Sequence, residues 1–304
     1  MRRPLAFGSL LTTLSLAAGL CAACLASDAP SAPAAAPAAK ASPAQEARPA
    51  EEAARETLAP GLAAVDALLA GVRVAPGADG VARVRYAALA AHRAPLDAAL
   101  AFFARTDPAR LPDAASRRAY WFNGYNVAMM AAVLDAWGGD PRWSVSADGF
   151  AVFSRRVHDF GGHRLALNDV ENGVLRGDLA KVQPGHPEEA FIRAAFAGAW
   201  EGRPVDPRLH MALNCASVGC PALPSSALRP AGLNAQLDAL ARAYVDDAGR
   251  GAGPQGISQI FEWYAADFPA GPRAFIEAHR AAGGPVAWER FIPYDWGLNV
   301  ADPG

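Results

Sequence analysis

The chain has 304 residues, 52% of them hydrophobic and 19% charged, which is enough apolar material for one domain of roughly 250 residues. With 28 basic and 30 acidic side chains the net charge is −2; setting aside Arg2 and Arg3 leaves 26 against 30. Lysine is almost absent and there is no basic run. The electrostatic footprint of nucleic-acid binding is therefore missing, and a wholly anionic substrate finds no basic groove.

Arg2 and Arg3 precede an apolar run over residues 5–23, the pattern of a secretory signal peptide over 1–23. Cys21-Ala22-Ala23-Cys24 resembles a lipoprotein signal, although a leucine-like residue is usual where Cys21 stands. Lipidation of Cys24 would tether the chain to a membrane; ordinary cleavage near Ala26 would release it. Residues 24–56 are dominated by Ala, Pro, Ser and Glu and lack aromatics, so a disordered linker is expected there. A globular domain is expected over 57–304, in a protein exported to the periplasm or anchored at the outer membrane.

Leu58, Leu62, Val65, Leu68 and Leu69 recur at helical spacing and predict a helix over 57–71. Residues 81–86 alternate like a short strand after the turn at Gly77–Gly80, and 89–103 read as a helix in two halves around Pro95. The strongest helical segment, 113–137, is closed by Gly138-Gly139. Residues 151–160 and 163–167 flank Gly161-Gly162 and predict a hairpin. Asn168 then opens a helix, with Glu171 three residues on in the capping-box position. Helices are expected over 188–200, 230–246, 257–268 and 271–282. Residues 208–214 suit a buried strand, with a helical turn as the alternative. Long helices with few short strands give an α+β fold, mostly helical, with a small sheet including the hairpin near 151–167.

Chemistry concentrates in three places. Asn123 and Asn126 lie three apart inside an aromatic helix, so their amides either line a pocket or lock neighbouring backbone. Glu171 is a helix cap or an acid. The third is residues 206–221, where Cys215 and Cys220 flank an Ala-Ser-Val-Gly loop. A thiol nucleophile needs a base or positive charge nearby. His210 serves as that base only if the chain bends, and His158 or His163 of the hairpin are alternatives. A Cys215–Cys220 disulfide is the competing reading, since an oxidising compartment favours pairing. No zinc spacing, glycine-rich phosphate loop, His-Glu-x-x-His helix or Gly-x-Ser-x-Gly elbow occurs, so neither metal nor cofactor is expected.

The segments Tyr120-Trp121-Phe122-Asn123-Gly124-Tyr125-Asn126, 167–176, 210–221, 257–268 and 294–299 together resemble the DUF547 family, a domain of unknown function, over about residues 80–300. That family usually has histidine after the glutamate; this chain has Asn172. The resemblance implies a shared cleft lined by Asn123, Asn126, Glu171, Arg176, His210 and Cys215, without supplying a reaction. Two readings follow. In one, a thiol-dependent hydrolase or transferase uses Cys215, with His210 as base, Glu171 as acid and Asn123 or Asn126 as oxyanion donor. In the other, a non-enzymatic envelope domain carries a Cys215–Cys220 bridge. The partner in either case is an unidentified peptide or small-molecule ligand.

Overall fold

The computed structural model describes residues 43–301; the expected signal peptide, Cys24 and the first part of the linker lie outside the described residues. Helix α1 (Pro43–Val72) begins well before the expected position 57, so the end of the presumed linker is helical. Its later turns bury Leu58, Val65, Leu68 and Leu69 of the stripe that the sequence spacing marks, with Leu62 partly buried, and add Val72. Each such side chain removed from water contributes about 1.5–3 kcal/mol.

A two-residue ladder, β1 (Arg73–Val74) with β2 (Arg83–Val84), follows antiparallel. The expected strand over 81–86 is cut short because helix α2 (Tyr86–Ala91) starts at Tyr86. Helix α3 (Ala94–Arg105) carries Pro95 in its first turn, where the missing N–H costs nothing.

The centre of the molecule is helix α4 (Ala114–Trp137), buried along nearly all of its length and packed against α1, α3 and later elements. Asp113 caps it by accepting from the Ser116 N–H at 2.7 Å, and Gly138 closes it in the left-handed conformation at φ 55°. Gly124 lets the hairpin lie close: a Cβ there would stand 2.8 Å from the Phe160 ring.

Helix α5 (Ala147–Ser154) occupies part of what the sequence suggests as the hairpin's first strand. Three consecutive left-handed residues, Asp148, Gly149 and Phe150, break its start. The hairpin itself is shorter, β3 (His158–Phe160) against β4 (His163–Leu165), with its turn at Gly161-Gly162 as expected. A π-helical segment, Asp169–Leu175, comes next and packs against α4 and helix α6 (Glu189–Trp200). Residues 208–214 resolve to the helical alternative: α7 (Leu209–Ala212) is one turn, after which Leu213 is extended.

Helix α8 (Leu233–Val245) matches expectation. The expected helix over 257–268 is instead a strand, a turn of helix and a 3-10 turn. Strand β5 (Ala252–Gly253) pairs antiparallel with β6 (Gly256–Ser258), helix α9 (Ile260–Trp263) follows, and Ala265–Asp267 forms the 3-10 turn. After α10 (Gly271–His279), β7 (Phe291–Ile292) joins β6 in parallel.

Two apolar clusters result. The larger gathers α1 to α6 around α4; the smaller holds Met211, Tyr244, Val245, Phe261, Phe268, Phe275 and Ile276. Residues 294–301 stitch the two together. Val84 N–H donates to Asn299 O, Asn299 N–H to Ala216 O, Val218 N–H to Gly297 O and Gly219 N–H to Asp295 O. The fold is α+β and mostly helical, with sheets of two or three strands. Among the described residues no helix is long and apolar enough to cross a membrane.

Candidate functional site

The loop after α7 carries Cys215, and local polar groups fix its shape. The Asn214 side chain spans it, accepting from Ala216 N–H at 3.1 Å and donating to Pro221 O at 2.7 Å. Ala216 sits at φ 63°, a left-handed conformation that costs an alanine about 1–2 kcal/mol. The bonds from Asn214 and the 294–301 segment keep it there. Strain next to a candidate nucleophile is where functional sites store it.

Cys215 is half-buried and lines a cavity of about 290 Å³ together with Glu171, His210, Cys220, Tyr264, Tyr294 and aromatic side chains. Its Sγ lies 3.0 Å from Ser217 Oγ and 3.4 Å from Tyr294 OH. Burial pushes this thiol up, but hydrogen bonds from Cys220, Ser217 and Tyr294 outweigh it and hold Cys215 down to about 7. Cys220 goes the other way: burial first, then the neighbouring Cys215, push its thiol well up, so it stays protonated. The two sulfurs are unbridged thiols, and Cys215 N–H donates to Cys220 Sγ at 2.8 Å.

His210, on α7, lines the same cavity. Its Nε2 contacts Asp267 Oδ2 at 2.9 Å and its ring stacks on Tyr264 at 4.2 Å. Arg176 binds the same carboxylate through two nitrogens at 2.6 and 3.2 Å, and donates to Asn172 Oδ1 at 2.6 Å. Burial favours a neutral Asp267, but the bonds from His210 and Arg176 overcome it and hold the carboxyl down to about 2. Asp267 is thus a fixed anion behind the imidazole, an arrangement that orients a histidine for proton transfer.

Glu171 is not a cap. Asn168 makes no capping bond, and the Glu171 oxygens accept from Tyr125 OH at 2.9 Å and Tyr264 OH at 2.8 Å. The π-helical winding turns this carboxylate into the cavity instead of back along the chain. Asp169 takes the local role, accepting from Ala166 N–H at 2.8 Å.

Of the residues singled out in the sequence, Cys215, His210, Glu171 and Cys220 meet in one cavity, and Arg176 stands behind it as the partner of Asp267. Asn123 and Asn126 do not. Asn123 exchanges two hydrogen bonds with the Leu228 backbone, and Asn126 donates to Ala212 O and accepts from Asn214 N–H. Both amides are locks, and neither is free to stabilise an oxyanion. His158 and His163 are elsewhere: His158 is buried beside Arg93 and Asp135, and His163 contacts Glu188 at 2.6 Å and stacks on Phe191. Neither hairpin histidine lines the cavity of Cys215.

Asp267, Tyr264 and Tyr294 carry no assigned role in the sequence reading. Their segments, 257–268 and 294–299, enter there as stretches that carry the family resemblance, and their partners lie about 50 to 90 positions away. Among the described residues no group of three His, Cys, Asp or Glu side chains has the arrangement to hold a metal ion.

The fold and site define a mostly helical α+β domain with a thiol at the floor of an aromatic cleft. The family model described as "Protein of unknown function, DUF547" matches residues 109–245, so over that stretch the chain is similar to this family. Comparisons with curated proteins and with solved structures find no match. The matched stretch includes Glu171, Arg176, His210 and Cys215; Tyr264, Asp267 and Tyr294 lie beyond it.

Proposed function

We propose that this protein is a thiol-dependent acyl hydrolase or transferase of the cell envelope. The observation that carries the reading is that Cys215, a thiol held near neutrality, lines the same cavity as His210, which Asp267 backs. The envelope location rests on the basic head and apolar run at the start of the sequence.

The chemistry follows from the groups present. His210 takes the thiol proton, through the ring nitrogen not engaged by Asp267. The thiolate attacks a carbonyl carbon, forming an S–C bond while the C=O electrons move to oxygen. The carbonyl re-forms as the bond to the leaving group breaks, and that group leaves with the proton returned by His210. Water or a second nucleophile then attacks the thioester, giving its proton to His210 and releasing the thiolate. Asn168, whose side chain makes no hydrogen bond within the protein, lines the cavity and is available to the substrate oxygen.

Alkylation of the reduced, native protein with iodoacetamide, followed by mapping of the peptide that carries residues 215–220, tests this. Cys215 is expected to react with a midpoint near pH 7 while Cys220 stays unlabelled, and Cys215→Ala to abolish labelling of that peptide. The competing scaffold reading expects no free thiol at all before reduction. Labelling of Cys215 only after denaturation of reduced protein defeats the enzyme proposal.

A further inference from the structure

The cleft has a second property that nucleophilic attack does not use. Its rim is a continuous set of aromatic rings: Trp263 stacks on Trp296 at 5.4 Å with planes 19° apart, Tyr294 lies 4.4 Å from Trp296, and Phe150 meets Trp296 at 4.8 Å. Trp263 and Phe150 are 43% and 38% exposed, among the few large apolar side chains left in water. Phe150 is held on the rim by the left-handed run over 148–150, a conformation that L residues adopt only at a cost.

Glu171 lines the same cavity. Two tyrosine hydroxyls donate to its oxygens, yet among the described residues it has no ion-pair partner. Arg176 is close enough for its charge to be felt there, but its guanidinium is committed to Asp267 and Asn172. The guanidinium of Arg176 is shared by two carboxylates, Asp267 at 2.6 Å and Asp178 at 3.5 Å, and Glu171 is left without an ion pair among the described residues. Aromatic faces carry the negative side of the ring quadrupole and attract cations. Indole and phenol rings that line one cavity with a carboxylate lacking an ion pair are therefore suited to an ammonium group and hostile to an anion.

We infer that the cleft recognises a substrate bearing a primary or methylated ammonium, seated against the cavity-facing side of the Trp263, Trp296 and Tyr294 stack and neutralised by Glu171, next to the acyl carbon presented to Cys215. The acyl part of this assignment rests on the thiol-enzyme reading; the ammonium part does not.

Binding is tested in the full chain carrying Cys215→Ser, so that no chemistry is required. Titration with choline, read by tryptophan fluorescence, is expected to saturate. The uncharged isostere 3,3-dimethyl-1-butanol is expected to bind about tenfold more weakly. Glu171→Gln is expected to remove that preference, and Trp263→Ala, at an exposed position outside the core, to weaken choline several-fold even if the Gln variant does not fold. Equal affinity for choline and the alcohol, no saturable binding of choline, or an unchanged preference in folded Glu171→Gln overturns the inference. Because the titration needs no reactive thiol and the alkylation experiment needs no ligand, either proposal can fail while the other stands.

Discussion

At the scale of single residues, the decisive quantity is the charge state of one sulfur. A thiol surrounded by hydrocarbon resists ionisation, and burial does act on Cys215 in that direction. It is overcome by hydrogen bonds, without a neighbouring cation at the sulfur. Ser217 sits two residues along a loop whose left-handed Ala216 folds the hydroxyl back onto the sulfur; Tyr294 approaches from the far end of the chain. Removing a donor to an anion raises the anion's pKa. Tyr294→Phe is therefore expected to move the pH midpoint of Cys215 alkylation upward by about one pH unit, and Ser217→Ala to act in the same direction. An unchanged midpoint in both variants would show that some other group governs the thiol.

At the scale of elements, α4 does two jobs. Its apolar and aromatic side chains form the core, and its two asparagines tie loops to that core. Asn126 holds both ends of the turn that precedes Cys215, through Ala212 O and Asn214 N–H. Truncation to Asn126→Ala leaves a buried carbonyl and a buried N–H without partners, at about 1–3 kcal/mol each before relaxation. A loss of roughly 2–4 kcal/mol in urea unfolding is expected, together with slower Cys215 alkylation as the loop loosens. The helical stripe of α1, both ends of α4 and the Gly161-Gly162 turn were legible from the sequence, because period and capping are local signals. The same local logic misread Glu171. The spacing from Asn168 suits a capping box, but the π-helical segment presents the carboxylate to Tyr125 and Tyr264, and Tyr264 is 93 positions away. Asp267 was invisible for the same reason: no rule of spacing connects it to His210 or Arg176. The segment over 257–268 was read as one helix, yet its first residues pair with β7, a partner that periodicity does not reveal.

At the scale of the molecule, the cleft lies where the two apolar clusters meet, so its integrity depends on groups from both. Two buried titratable groups, Asp267 behind the cleft and His158 away from it, set how the protein responds to acid. Burial holds His158 down to about 4 from 6.5, so the unfolded chain takes up this proton first as the pH falls. The difference amounts to about 3 kcal/mol of stability, lost between pH 6.5 and 4. Asp267, held at about 2 against an ordinary 3.8, adds a loss of about 2 kcal/mol between roughly pH 4 and 2. Urea midpoints measured against pH are expected to fall in these two steps. His158→Leu is expected to flatten the upper step alone and Asp267→Asn the lower. A single step unaffected by either substitution would mean that other groups control acid unfolding.

The segment over 294–299 also imposes an order of events. Synthesis of the chain proceeds from its amino end, so the loop with the sulfur is made long before Tyr294 exists to donate to it. Until that late stretch has threaded between Val84 and Ala216, the sulfur lacks one of the three side-chain donors (Cys220, Ser217 and Tyr294) that hold its pKa down. The set of donors around the sulfur is thus completed late, so on the proposed thiol chemistry its reactivity belongs to the finished domain.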